Sequence, residues 1–243
     1  LGPARRAFKV RAAPAGVARP DRVRYFAAPM RLRITEVFHS IQGESTFAGR
    51  PSVFVRLTGC DLRCAWCDST YTFSGGSWIA VEALVDQVLA FGTPLVCVTG
   101  GEPLLQPDVH GLMTRLLDAG RTVTLETGGH RDVSPVDPRV HRIVDWKPPA
   151  SGEVDRNRWE NLDVLTTRDE IKCVVADRAD YEWARAQVRS RGAAARVGAI
   201  HFSPVHGRLA AVELAGWILE DRLPVRLQIQ LHKHLWGADA RGV

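Results

Sequence analysis

The chain has 243 residues, 45% hydrophobic and 24% charged, with a formal net charge of +5. That composition suits a globular protein with a substantial core, and no apolar run approaches the ~18 residues of a membrane span. The positive charge does not mark a nucleic-acid-binding body, because residues 1–30 hold seven basic side chains and one acid while 31–243 hold 25 basic and 26 acidic residues.

The basic lead is rich in Ala, Pro and Arg and has no continuous apolar centre. It is expected to be a disordered or non-native extension, with translation naturally starting at Met30, the alternative being an Arg-rich targeting peptide. One folded domain is expected over 31–243. RITEVF (33–38) and SVFVRLTG (52–59) are rich in β-branched and aromatic residues and predict strands. Between them HSIQGESTFAGRP predicts a loop. Apolar residues at helical spacing predict a helix over 78–91 with Ser77 as its N-cap. LVCVTG (95–100) reads as a buried strand, 107–119 as a helix closed by Gly120, and TVTLET (122–127) as the next strand. Further strands are expected at 141–146, 170–176, 198–203 and 225–231, with helices at 178–191 and 207–221. This alternation predicts an α/β fold of about seven strands, a parallel sheet with helices outside. Periodicity does not choose between an open doubly wound sheet and a partial (β/α) barrel.

Five cysteines, an odd number, argue against a disulfide framework and for a reducing, cytoplasmic setting. Three of them lie in GCDLRCAWCDST (59–70) as Cys-x3-Cys-x2-Cys, directly after a predicted strand. Cys60, Cys64 and Cys67 so crowded suit a metal centre. One reading is zinc with a fourth ligand from Cys97, Cys173 or a histidine, in a noncatalytic binding module. The other is a 4Fe–4S cluster that leaves one iron open to a reactant. Otherwise Cys97 and Cys173, within apolar strands, read as core residues.

The cysteine triplet with Trp66 before its last member resembles the signature of the radical S-adenosylmethionine superfamily, and VTGGEP (98–103) resembles its glycine-rich cofactor loop. HSIQGES (39–45), FVRLTGCDLRCAWCDST (54–70), DWKPPASG (145–152) and QLHKHLWG (230–237) narrow the resemblance to the 7-carboxy-7-deazaguanine synthases, from about Ile34 to the C-terminus. The resemblance implies a partial barrel and a lyase that contracts 6-carboxy-5,6,7,8-tetrahydropterin to 7-carboxy-7-deazaguanine with loss of ammonia, in queuosine and related deazapurine biosynthesis. It implies a 4Fe–4S cluster on three cysteines, S-adenosylmethionine on the open iron, and hydrogen abstraction from substrate C-6 by a deoxyadenosyl radical that is afterwards restored. It also implies Mg2+, an external flavodoxin or ferredoxin as electron donor, and a homodimer.

Carried over residue by residue, the resemblance places substrate contacts at Ile41, Gln42, Gly43, Arg56, Thr99 and His232, the last near the end of the final strand. It places S-adenosylmethionine contacts at Gly100, Gly101, Glu126, Asp145, Trp146, Lys147 and Ser203. Asp145 and Trp146 stand where the family usually has Ser-Pro, which leaves side-chain contacts there in question. Mg2+ falls to Ser69, with Thr70 as the fallback and Asp68 as an orienting group. No side-chain nucleophile is implied. The competing function inside the superfamily is activation of a glycyl-radical enzyme, which shares the cysteines and the glycine loop but has no use for Arg56 or the Ser69 metal.

Overall fold

The computed structural model describes residues 29–243, so the extension expected over 1–30 falls almost wholly outside the described residues. Met30 is described: its carbonyl accepts from Val81 N at 3.0 Å, and its side chain packs against the core. Among the described residues nine strands form one sheet: β1 (Arg31–Ile41), β2 (Pro51–Leu57), β3 (Ser77–Ala80), β4 (Leu95–Gly100), β5 (Thr122–Thr127), β6 (His141–Trp146), β7 (Glu170–Val175), β8 (Ala199–Pro204) and β9 (Arg226–Leu227). The α-helices of the described residues are α1 (Val81–Ala90), α2 (Val109–Asp118), α3 (Asn161–Val164), α4 (Arg178–Ser190), α5 (Ala211–Asp221) and α6 (Leu231–Trp236).

The strand order is β3-β1-β2-β4-β5-β6-β7-β8-β9, with every pair from β2–β4 onward parallel. The parallel run advances in one direction and never reverses, so right-handed crossovers place all its helices on one face. A doubly wound sheet needs a reversal; its absence gives the partial barrel. The expected all-parallel sheet is corrected at one edge, where β1 runs antiparallel to both β2 and β3. Only residues 42–50 join β1 to β2, too few for a parallel crossover.

Two further expectations are overturned. Ser77 is not a helix cap: it pairs with Ile34 in β3, and α1 begins at Val81 after Ala80, which makes no side-chain cap bond. The predicted strand 225–231 shrinks to Arg226–Leu227 and is followed by α6. Gln228 N still donates to Phe202 O of β8 at 2.9 Å while its side-chain amide donates to Ser45 O at 3.0 Å. Beyond it the Gln230 side-chain amide donates to Glu44 Oε1 at 2.7 Å and Leu231 N to Gly43 O at 3.1 Å, drawing the chain off the sheet edge.

Alternation along the parallel strands sorts the layers. Val53, Val55, Val96, Val98, Val123, Leu125, Val144, Ile171, Cys173 and Phe202 join the core with Leu84, Leu112, Met113, Tyr181 and Leu214 from the helices. The intervening residues, among them Arg56, Thr99, Glu126, Asp145 and Lys172, face the inner side. At ~25 cal/mol per Å2 the apolar layer supplies the driving force for folding, and it leaves the other face free to be polar.

Candidate active site

That polar face lines a cavity of about 710 Å3 at the C-terminal ends of the strands. Cys60, Cys64 and Cys67, all half-buried, border it from the loop that follows β2. The loop is anchored on both sides. Asp61 lies 2.6 Å from His130 Nε2 and accepts from Arg131 Nη2 at 2.5 Å and Arg156 Nη2 at 3.0 Å. Burial raises the Asp61 carboxyl, but His130 and Arg131 outweigh it and hold it at about 2. On the far side Lys233 of α6 bonds Asp68 at 2.7 Å.

Gly100 and Gly101 line the cavity, yet the close approach they permit is to the cysteine loop. A Cβ on Gly101 would fall 2.2 Å from Gly59 O and 2.9 Å from Cys60 Cβ, and one on Gly100 (φ +146°) 2.4 Å from Leu57 O. Glu102, fully buried, fixes the turn by accepting from Leu104 N, Thr127 Oγ1 and Gly128 N at 2.7–2.9 Å. Gly101→Ala is therefore expected to push the loop off its seat, costing ~1–3 kcal/mol as overpacking does. Thermal melting with iron retention after anaerobic reconstitution checks this; an unchanged melt with full iron would contradict it.

The loop after β1 forms the opposite wall. Gln42 Nε2 donates to Glu126 Oε1 at 3.2 Å, and Thr99 Oγ1 donates to Glu126 Oε2 at 3.1 Å. Glu44 bonds Lys172 Nζ at 2.6 Å, Lys172 lies 3.4 Å from Asp145, and Lys147 bonds Asp145 at 2.7 Å. Burial alone would raise the Glu44 carboxyl; Lys172 and Gln230 overcome it and hold it at about 2. Glu126 goes the other way: burial dominates and pushes its carboxyl up despite Lys172. Ser45 holds a positive φ of 64° while buried, backbone strain in the same loop.

Of the residues singled out from sequence, the cavity wall gathers the three cysteines, Ile41, Gln42, Gly43, Arg56, Ser69, Thr70, Thr99, Gly100, Gly101, Glu126, Asp145, Lys147 and His232. His232 reaches it from α6 and not from a strand, and Gly43 is the residue that lets it in: a Cβ there would fall 2.1 Å from His232 Nδ1. Trp146 does not reach the cavity. Strand alternation turns it into the core, where its ring packs edge-on against Trp159 at 5.4 Å. Ser203 is 1% exposed and also does not line the cavity; its Oγ has no hydrogen-bond partner among the described residues. Cys97 and Cys173 are fully buried core positions.

Sequence reasoning missed Glu36, Phe38, Glu44, Phe54, Tyr71, Lys172 and Gln230. Phe38 and Phe54 stack at 4.9 Å with planes 8° apart on the cavity wall. The signal for Lys172 was present in EIKCVV: a lysine between apolar neighbours on a buried strand faces something other than the core.

The donor set fits an iron–sulfur cube. Three soft thiols face a cavity large enough for a further reactant, and the two other cysteines are locked in strands. Among the described residues no three Cys, His, Asp or Glu side chains converge to the spacing of a single ion, which a structural zinc site requires. Burial pushes the Cys60 and Cys64 thiols up, so the metal must itself displace the protons.

Comparison with known proteins agrees. The family description Radical SAM superfamily matches residues 54–145. The 7-carboxy-7-deazaguanine synthase of Chlorobaculum tepidum is 49% identical over 215 residues, covering 87% of this chain and 97% of the relative. That of Koribacter versatilis is 47% identical over 227 residues, covering 87% and 100%. Among solved structures, QueE from Escherichia coli superposes with a TM-score of 0.68 at 26% identity, covering 84% of this chain and 95% of that one.

Proposed function

Because the chain belongs to the 7-carboxy-7-deazaguanine synthase family of the radical S-adenosylmethionine superfamily, we propose that the wall of its cavity carries out that family's reaction with the residues gathered there. The reaction contracts 6-carboxy-5,6,7,8-tetrahydropterin to 7-carboxy-7-deazaguanine with release of ammonia, a lyase step of queuosine and related deazapurine biosynthesis. The observation that carries the reading is the convergence of three loop thiols and a charged inner wall on one cavity. When bound, the 4Fe–4S cluster on Cys60, Cys64 and Cys67 and S-adenosylmethionine on its open iron supply the one-electron chemistry that abstracts hydrogen from the substrate.

The chain's own residues orient and enclose. Arg56 meets the substrate carboxylate through its guanidinium. Thr99, Gln42 and the main chain of Ile41–Gly43 read the pterin edge, with His232 beside them. Burial lowers the His232 pKa, so its ring stays neutral and can both donate and accept. Gly100, Gly101, Glu126, Asp145 and Lys147 face S-adenosylmethionine, and the bonds from Gln42 and Thr99 to Glu126 tie this wall to the substrate wall.

Ser69 Oγ, 3.9 Å from Cys67 Sγ on the cavity rim, would hold Mg2+, with Thr70 adjacent. A neutral hydroxyl is a weak ligand for so hard an ion, so substrate oxygens and water complete the shell. Residues 31–243 act as one catalytic domain. The family resemblance supports a homodimer reduced by flavodoxin or ferredoxin, and the free thiols support a reducing, cytoplasmic setting.

The test is an anaerobic assay of reconstituted protein with the pterin, S-adenosylmethionine, Mg2+ and a reductant. The expected result is 7-carboxy-7-deazaguanine with one equivalent of ammonia. Ser69→Ala is expected to raise the Mg2+ concentration for half-maximal rate by about tenfold, the equivalent of ~1.4 kcal/mol. Absence of the deazaguanine sinks the reading; an unmoved Mg2+ requirement sinks the Ser69 assignment alone.

A further inference from the structure

We propose that Glu36 and Tyr71 are positioning residues that fix which edge of the Arg56 guanidinium meets the substrate, and so make the cavity select pterins bearing the carboxylate. This rests on the reading of Arg56 as the carboxylate partner. A guanidinium offers two forks to an oxyanion, one end-on through both terminal nitrogens and one side-on through Nε and a terminal nitrogen. Here Nε donates to Glu36 Oε1 at 2.6 Å, which closes the side-on fork. Neither terminal nitrogen bonds a protein group among the described residues, and Arg56 lines the cavity. Phe38 supports the guanidinium, with Cζ 5.6 Å from the ring centroid.

Glu36 faces inward only because β1 is irregular. Leu32 and Ile34 lie in the helix-side core, and strict alternation would send Glu36 and Phe38 there too. The register slips between Ile34 and Glu36, so Ile34 stands opposite Leu57 and Glu36 opposite Arg56. A bulge beside a cavity re-aims the side chains that follow it. It also sets a carboxylate directly across from the arginine it orients.

The same Glu36 oxygen accepts from Tyr71 OH at 2.8 Å. Tyr71 sits in the short turn Thr70–Thr72, immediately after Ser69, and the Arg241 guanidinium lies 4.2 Å over its ring. One carboxylate thus ties the arginine to the segment carrying the Mg2+ hydroxyl, so that both would meet the substrate carboxylate in fixed relation.

Binding is measured on cluster-loaded protein with S-adenosylmethionine, comparing 6-carboxytetrahydropterin with tetrahydropterin lacking the carboxylate. Glu36→Gln and Tyr71→Phe are each expected to weaken the carboxylated ligand by about tenfold, the worth of a charge-assisted bond held in place, and to leave tetrahydropterin unchanged. Arg56→Gln should erase the preference. Equal weakening of both ligands, or none, in both Glu36→Gln and Tyr71→Phe would overturn the proposal while leaving Arg56 intact. If Arg56→Gln keeps the preference, the carboxylate reading of Arg56 fails first, and the positioning role with it.

Discussion

Alanine at Cys60, Cys64 or Cys67 is expected to abolish bound iron and reduce turnover to background, while alanine at Cys97 or Cys173 preserves both. Each loop thiol supplies one corner of a cluster that the chain holds at only three, so two remaining corners leave it exposed to loss. Apart from Leu62 N, which donates to Cys60 Sγ at 3.4 Å, the loop is held by groups other than the thiols. Asp61 is held by His130, Arg131 and Arg156, Gly59 N donates to Thr72 O at 2.7 Å, and Lys233 holds Asp68. Melting of the metal-free loop variants should therefore match that of the metal-free parent. The core cysteines behave oppositely: both are fully buried in β4 and β7, and removing either sulfur should cost about 1 kcal/mol without touching iron. Iron and sulfide analysis after anaerobic reconstitution, read beside thermal melts, separates the two groups. Stoichiometric iron in any loop variant would refute the three-corner assignment.

What the sequence made legible follows from local rules. β4, β5, β6, β7 and β8 fall within a residue or two of their expected bounds because each is a short apolar run closed by a turn residue or a helix start. The choice of a partial barrel needed the strand order, which is a nonlocal quantity. The edges misled for the same reason. Trp78 and Ile79 fit a helical spacing, but pairing with Leu32 and Arg33 holds them as an edge strand, leaving Trp78 56% exposed. Gln228 and Gln230 sit in a strand-like alternation, but after Gln228 the bonds of Gln230 to Glu44 and of Leu231 N to Gly43 O decide otherwise.

In the cavity, the motif residues were legible through their resemblance, and their supports were not. The resemblance assigns Trp146 together with Asp145 and Lys147, although strand alternation turns it away from the side that Asp145 faces. Glu36 was hidden by the bulge, whose trace in the sequence is a three-residue step from Ile34 to Val37 where a regular strand would place apolar residues two apart. The zinc module and the glycyl-radical activase both lose ground to the same features. Among the described residues no three candidate ligands converge to the spacing of a single ion, which disfavours the first, and the extended identity to the deazaguanine synthases excludes the second.

Lys172→Met is expected to destabilise the protein by about 3–5 kcal/mol at neutral pH, the range for removing one partner of a buried ion pair. The ammonium lies 2.6 Å from Glu44 and 3.4 Å from Asp145, both on the inner wall. Asp145 keeps Lys147, but Glu44 would be left with only the Gln230 amide. In the parent, Glu44 is held at about 2, below its ordinary 4.5, so its stabilising share is full above pH ~4.5 and fades as pH falls toward 2. Without Lys172, burial would dominate and raise that carboxyl, reversing the sign: the variant should lose least in mild acid, where Glu44 is neutral, and most at neutral pH. Urea unfolding compared at about pH 5 and about pH 7 reads the difference. Lys172→Met combined with Glu44→Gln should recover much of the loss, since it leaves no unpaired charge. Glu44 belongs to the loop that carries Gln42 and Gly43, so the single variant should also raise KM for the pterin more than it lowers kcat. A loss independent of pH, and unrelieved by Glu44→Gln, would mean that Lys172 matters for its packing and not for its charge.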